Sequence, residues 1–425
     1  MTKNLNTIGK SEKRVDAKDK VMGKALYPGD IYMDNMVYGY TVRSTIPCGE
    51  IRVDKSQAQK HPGVLYIFTA DDIIGNNHHG VIIKDQEVFC KKKVRRIGEP
   101  IAFVVARSYE AAKEAAKMIS IEFKEFTGVF DPREAMKDDA PKVHKGKDNL
   151  IFHYKLRDGN IEEGFMNSDI IVENNYETSM VEHSFLQPEA GVAYVDEKGS
   201  VNLIVATQYP HYDREEIAQA LNLPQESIRI ITSAVGGAFG GREDITLQIH
   251  LALASYKLKR PVKTIYSREE SFIAHSKRHP FYMHYKTGAK KDGTLMAMEA
   301  EIIGDAGAHA SWAINILRKA GVHATGPYLI PNVKVDCYAV YTNNPYTGAM
   351  RGFGAAQVPM AYEQQIDEIA NRLNINPIDF RLKNCFRIGS KTATGQIIEG
   401  SIPLGKLIKI AAEKIGYNIS TGVSI

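Results

Sequence analysis

The segment Ser227-Ile-Arg-Ile-Ile-Thr232, then Val235-Gly-Gly-Ala-Phe-Gly-Gly-Arg-Glu243, then an apolar run from Ile245 to Lys257 reads as strand, glycine-rich loop and helix. The glycines at 236, 237, 240 and 241 let the backbone approach a neighbour closely. The loop is expected to feed a helix N-terminus capped by Asp244, where free N–H groups and the helix dipole favour an anion such as a pyrophosphate. Its spacing is neither a Walker A loop nor the dinucleotide GxGxxG pattern. On local grounds a structural glycine turn explains it equally well.

Upstream, Val201 to Thr207 reads as a strand and Asp213 to Leu221 as a helix. Gln208 ends that strand just before Tyr209-Pro210, at the edge where α/β sheets bind ligands; a surface turn is the plainer reading. Farther back, Ile97 to Ala106 reads as a buried strand, Ser108 to Met118 as a helix capped by Ser108, and Ile119 to Phe123 as a strand. Pro132 to Asn149, rich in Lys and Asp, reads as an exposed connector. Downstream, Tyr282 to Lys286 and Leu295 to Ile303 pair around a Lys291-Asp-Gly293 turn. Arg351-Gly-Phe-Gly354 then precedes Ala355 to Leu373, expected to be the last long helix. An arginine beside exposed N–H groups suits an anion, and the glycines let Phe353 project into a pocket; a tight turn with a buried Phe is the alternative. The alternation of strands and helices assigns the chain to the α/β (α+β) class.

At 425 residues the chain holds two to three domains. A hydrophobic content of 44% with 24% charged residues is that of a globular protein, and no apolar run reaches membrane-spanning length. The polar start, Met1 to Thr7, lacks a secretory apolar stretch, so a cytoplasmic location is expected. A net charge of +4, from 54 basic and 50 acidic residues, argues against a nucleic-acid partner. Cys48, Cys90, Cys337 and Cys385 form no CxxC pair; buried thiols are expected, with any iron–sulfur chemistry on another chain. His279, His284 and His309 show no helical metal-ligand spacing and read as structural; His183 could orient a loop. The chain lacks a G-x-S-x-G elbow and an H-E-x-x-H helix.

Taken in order, these segments resemble the xanthine dehydrogenase family of molybdenum hydroxylases over nearly the whole chain. The resemblance runs through Lys20-Val-Met-Gly-Lys-Ala-Leu-Tyr-Pro-Gly-Asp30, Val42-Arg-Ser44, Pro62-Gly-Val64, Ile97-Gly-Glu-Pro100, and Glu182-His183 with Pro188-Glu189. Its most specific parts are Thr207-Gln208, Gly236 to Glu243, Arg278-His-Pro-Phe281 and Arg351-Gly-Phe-Gly354, followed by Arg381-Leu-Lys-Asn384 and Gly389 to Gln396. It implies an a/b hammerhead domain over residues 1–130, a connector over 131–150 and a first molybdopterin-binding domain over 151–425.

The resemblance also implies roles. Gln208 sits near the molybdenum; Gly236, Gly237, Ala238, Phe239, Gly240 and Gly241 hold the pterin side; Met350 and Arg351 contact the cofactor; Phe353 stacks on an aromatic substrate. Glu243 matches a carboxylate that binds substrate in purine-oxidising members, whereas Lys319 stands where those members carry an arginine, so Lys319 or Arg318 is expected to meet an anionic substrate. No side chain is expected to ligate the metal directly, because the pterin holds it. The implied cofactor is molybdopterin cytosine dinucleotide with molybdenum and a terminal sulfido or selenido ligand.

The chain stops at Ile425, shortly after Thr392-Ala-Thr-Gly-Gln396, where family chains continue. A medium molybdopterin subunit is therefore expected to bring the general-base glutamate. A [2Fe–2S] subunit and an FAD subunit would carry electrons to NAD(P). Such a split resembles the nicotinate-oxidising branch, which implies hydroxylation of nicotinate to 6-hydroxynicotinate with water as oxygen source. Purine, aldehyde and aryl-CoA oxidation are the alternatives within the family. A non-catalytic scaffold is the alternative outside it, against which the glycine loop and Arg351-Gly-Phe speak.

Overall fold

The computed structural model describes residues 5–417; both the first residues of the polar start and the chain end at Ile425 lie outside the described residues. A seven-stranded mixed sheet runs in the order Ile228–Thr232, Val201–Val205, Ala190–Val195, Val262–Ile265, Val37–Arg43, Pro100–Ala106, Val64–Phe68. Strands from the first 110 residues and from beyond residue 190 thus share one sheet. They meet where Val37 and Tyr38 pair in parallel with Val262 and Lys263. The join is buried: Val37, Phe68 and Phe103 share a core cluster with Leu203, Ile249 and Val262. Pro100–Ala106 is buried at every position, as an all-apolar strand with both faces covered should be.

A five-stranded sheet, ordered Ile170–Glu177, Phe281–Ala289, Leu295–Gly307, Asn332–Tyr341, Leu150–Asp158, carries the largest core cluster. The expected hairpin is present and longer than its sequence pattern, with Phe281–Ala289 antiparallel to Leu295–Gly307. The helix Tyr109–Lys117 is capped as expected, the Ser108 hydroxyl accepting from the Ala111 amide at 3.1 Å. The strand that follows it, Ser120–Glu125, pairs with Gly49–Asp54 in a separate three-stranded sheet. All four cysteines are buried and free. No helix among the described residues is long and apolar enough to cross a membrane.

Four local expectations need correction. The helix after the glycine loop begins at Gln248, not Ile245. Asp244 does not cap it: Asp244 is buried and accepts from the Ser311 hydroxyl at 2.8 Å, while the Gln248 side chain accepts from the Thr246 and Leu247 amides. The helix expected from Ala355 begins at Pro359, because residues 351–358 form consecutive tight turns and Gly352, Phe353 and Gly354 all have positive φ, which a right-handed helix cannot take. Two shorter helices, Pro377–Asn384 and Leu404–Lys414, follow it. The segment Pro132 to Asn149 is not simply exposed. Ala135, Val143, His144 and Asn149 are buried, and Asn149 donates to the Ala135 and Pro141 carbonyls.

Candidate functional site

Two glycine-bearing turns meet face to face. The Arg351 amide donates to the Phe239 carbonyl at 2.8 Å. Gly240, at φ +103°, packs so tightly on the second turn that a Cβ there would lie 2.5 Å from the Ala349 carbonyl oxygen. Gly354, at φ +95°, presses likewise on the helix Ala313–Val322, with a Cβ position 2.3 Å from the Ile316 carbonyl. These glycines serve loop–loop and loop–helix contact. The 236–241 loop stops short of the helix that begins at Gln248, so the helix-dipole argument for an anion at that loop falls away.

What the turns expose is two phenylalanines in the left-handed region, Phe239 and Phe353, each at φ 53°. Bulky residues are uncommon there and persist only where their surroundings over-determine them, a pattern that clusters at ligand clamps. Phe239 is 49% exposed, an unusual setting for an aromatic ring on an ordered turn. Phe353 is half-buried, its ring T-shaped against Trp312 at 5.6 Å.

Gln208 lies past the end of its strand and fixes the glycine loop. Its side-chain oxygen accepts from the Gly240 amide at 3.0 Å and the Arg242 amide at 3.3 Å. Its own amide donates to the Arg242 carbonyl. With the oxygen committed, the Gln208 Nε2 group faces outward with no partner among the described residues. The Arg351 guanidinium, exposed, is likewise without a partner there, as are the amides of Phe239, Met350 and Gly352.

Gln208, Phe239, Gly240, Glu243, Met350, Arg351 and Phe353 line one cleft of about 310 Å³. Of the expected site residues, Gly236, Gly237, Ala238 and Gly241 sit in the loop behind it rather than on its wall. Lys319 projects from the helix Ala313–Val322 to 5.9 Å from the Phe353 ring centre, within cation–π reach. Arg318 faces Phe152 instead, which leaves Lys319 as the cation beside the cleft. Glu243 is half-buried in the wall; burial, with Asp244 next to it, pushes its carboxyl up to about 7.

Two residues hold this arrangement that had no role assigned from the sequence, or only a loose one. Arg242 is buried, donates to the Gly237 carbonyl at 2.9 Å, also bonds the Gln187 carbonyl, and lies over the Phe185 ring at 4.3 Å. Its position directly after the glycine pair was the available signal. His183 does orient a loop: its Nε2 donates to the Ala349 carbonyl at 2.7 Å, and burial lowers its pKa to about 4, so it acts as a neutral donor.

The cleft therefore offers a cationic guanidinium, an amide donor and three open backbone N–H groups, beside two aromatic rings. That donor set suits an anionic, many-acceptor group such as a pterin with its phosphate, and the tight seat at Gly240 leaves the wall to backbone rather than side chain.

Comparison with known proteins agrees. Residues 22–127 match the aldehyde oxidase and xanthine dehydrogenase a/b hammerhead domain, and residues 143–385 match the molybdopterin cofactor-binding domain. The chain is 43% identical over 415 residues to the nicotinate dehydrogenase large molybdopterin subunit of Eubacterium barkeri, covering 97% of both chains. It is 33% identical over 390 residues to the xanthine dehydrogenase molybdenum-binding subunit of Escherichia coli O157:H7, covering 88% of this chain and 52% of that one. Among solved structures, the aldehyde oxidoreductase from Desulfovibrio gigas superposes with a TM-score of 0.91 at 28% identity, over 94% of this chain and 46% of that one. The chain thus spans nearly all of the Eubacterium subunit and about half the length of the other two. With both domains matched in order and the cleft built at their most specific motifs, the chain belongs to the xanthine dehydrogenase family of molybdopterin-binding oxidoreductases.

Proposed function

We propose that this chain is the large molybdopterin subunit of a hydroxylase acting on an anionic N-heteroaromatic acid, with nicotinate, converted to 6-hydroxynicotinate, as the first substrate to test. The observation that carries the reading is Lys319 beside Phe353 at the cleft edge: a ring to stack on and a cation for a carboxylate. The relative in Eubacterium barkeri is named for nicotinate, which supports the same choice.

When bound, the molybdopterin cytosine dinucleotide, with its sulfido or selenido ligand, supplies the redox chemistry of hydroxylation. The chain's own residues bind and orient. Gln208 holds the Gly240–Arg242 backbone with its oxygen and would present its Nε2 donor to the cofactor's metal end. Phe239 and Gly240 would bring backbone to that end, the Gly236–Gly241 loop would back the pterin, and Met350 and Arg351, which line the cleft, would contact it. Phe353 fixes the plane of the substrate ring and Lys319 its carboxylate. The general base comes from a medium molybdopterin subunit, and [2Fe–2S] and FAD subunits pass electrons to NAD(P). The four buried free thiols fit a reducing, cytoplasmic setting.

Glu243 in the cleft wall favours a second reading, purine oxidation, in which its carboxyl pairs with the substrate ring. Anaerobic reduction of NAD(P) by the native complex, with nicotinate and xanthine offered separately, decides between them. Turnover of nicotinate alone supports the first reading. Turnover of xanthine alone overturns it and makes Glu243 the substrate contact.

A further inference from the structure

Away from the cleft, three segments distant in sequence bring Asp85, His144 and His309 together, each buried, with one ligand atom apiece all within 4.8 Å of one another. Two of the three side chains, Asp85 and His144, are already held at their outer atom. Asp85 Oδ2 accepts from the Ala310 amide at 3.0 Å and the Tyr341 hydroxyl at 2.5 Å. His144 Nε2 meets the Ala308 carbonyl at 2.8 Å, which can only accept, so the proton sits on Nε2 and Nδ1 keeps its lone pair. His309 Nε2 lies 3.2 Å from the fully buried Glu99 carboxylate, whose charge favours a proton on that side and the lone pair on Nδ1, although neither Nε2 nor Glu99 Oε1 completes a hydrogen bond.

Asp85 Oδ1 and both ring nitrogens of His309 have no hydrogen-bond partner, although the two side chains are 2% and 1% exposed. Asp85 Oδ1 and His309 Nδ1 face each other at 3.9 Å. That is too long for an N–H···O hydrogen bond, and it opposes a lone pair to a carboxylate oxygen. Buried polar atoms left in this way carry a desolvation cost that a native fold ordinarily avoids. A cation between them removes the conflict, since zinc–nitrogen and zinc–oxygen bonds of about 2.0–2.2 Å fit the gap after a small contraction. A carboxylate or backbone carbonyl on the far nitrogen of each imidazole is the outer arrangement that metal-bound histidines show.

We propose that Asp85, His144 and His309 bind one divalent transition-metal ion of the zinc type, with a water completing the shell. Two imidazoles and one carboxylate select such an ion over calcium or magnesium, which prefer oxygen donors. The ion ties three places at once: the loop before Gln86, the 132–149 segment, and the turn that follows the strand Leu295–Gly307. That turn leads through Ser311, which anchors Asp244 beside Glu243, into the helix that carries Lys319. The ion thereby fastens the start of the second matched domain, just past the segment that joins the two, to the frame behind the cleft.

The test is metal content of the natively purified complex by mass spectrometry, as isolated and after chelation and dialysis against Zn²⁺ alone. The expected result is one zinc per chain, an N/O-only shell with imidazole scattering at the zinc absorption edge, and a rise in thermal midpoint on zinc addition. His144→Gln keeps a polar side chain and is expected to weaken zinc binding at least about tenfold. Zinc well below one per chain in the zinc-dialysed wild type overturns the proposal. Equal zinc in wild type and a folded His144→Gln overturns it as well. If His144→Gln does not fold, the wild-type stoichiometry and edge spectrum decide.

Discussion

The Arg351 amide and the Phe239 carbonyl, 2.8 Å apart, join the two turns that build the cleft, so neither aromatic wall is positioned independently of the other. Gly240 is the seat of that contact. Gly240→Ala puts a methyl against the Ala349 carbonyl at a positive φ and is expected to cost about 1–3 kcal/mol in chemical unfolding. Molybdenum per chain in the assembled complex should fall severalfold. Full molybdenum occupancy would show that the contact is not needed to hold the cofactor.

Gln208 has two functions that substitutions can separate. Gln208→Ala leaves the Gly240 and Arg242 amides without an acceptor and should destabilise the chain by about 1–3 kcal/mol. Gln208→Glu keeps the acceptor and loses the donor. It should leave stability near wild type while kcat/KM drops about 10²-fold. Equal turnover in Gln208→Glu and wild type would remove the donor role.

Lys319 is expected to act on the charge of the substrate. Lys319→Ala should raise the KM for nicotinate about tenfold, the loss of one hydrogen bond to a charged group, with kcat little changed. The KM for the neutral amide of the same ring should not move. A parallel rise for both compounds would place Lys319 in packing with Phe353 and not in carboxylate recognition.

Glu243 carries a pH signature. Its carboxyl, raised to about 7 first by burial and then by Asp244, ionises as pH rises through that value. An ionised Glu243 repels an anionic substrate, so KM for nicotinate should climb above about pH 7. Glu243→Gln should flatten that limb. A wild-type profile already flat from pH 6 to 8 would detach Glu243 from the substrate.

Asp213 gives a stability test on a residue that does not line the cleft. It is buried and bonded by the Gln248 amide at 3.3 Å, and burial lifts its carboxyl from 3.8 to about 7. The folded chain then holds a proton between those values that the unfolded chain has released. Its contribution is full below about pH 3.8 and lost as pH rises toward 7. Thermal midpoints of Asp213→Asn across this window should lose that part of the decline seen in wild type. Identical slopes would mean that Asp213 ionises normally.

Much of this was legible before any coordinates. Short apolar runs placed the strands at 100–106, 201–205 and 228–232, because a strand buried in a sheet leaves a continuous apolar trace in the residues. The glycine loop and Arg351-Gly-Phe stood out for the same reason that they work: only glycine takes those backbone angles against a neighbour. What the sequence hid was direction and distance. Asp244 has the look of a helix cap, but the buried Ser311 hydroxyl 67 residues away claims it. The 132–149 segment has a solvated composition, yet a few residues, His144 among them, turn inward. Arg242 carried no signal beyond its neighbours, since its partners are backbone carbonyls, which every residue has.

The parallel pairing of Val37 with Val262 has a consequence for how the molecule folds and how it can be cut. The two stretches matched by separate family models share one sheet and one core, so their stabilities are expected to be coupled. Expressing the first 130 residues alone would expose a strand edge and strip Val37, Phe68 and Phe103 of their apolar neighbours. Neither part reaches its native sheet until the other is present, so synthesis must run past residue 265 before the first strand finds its place.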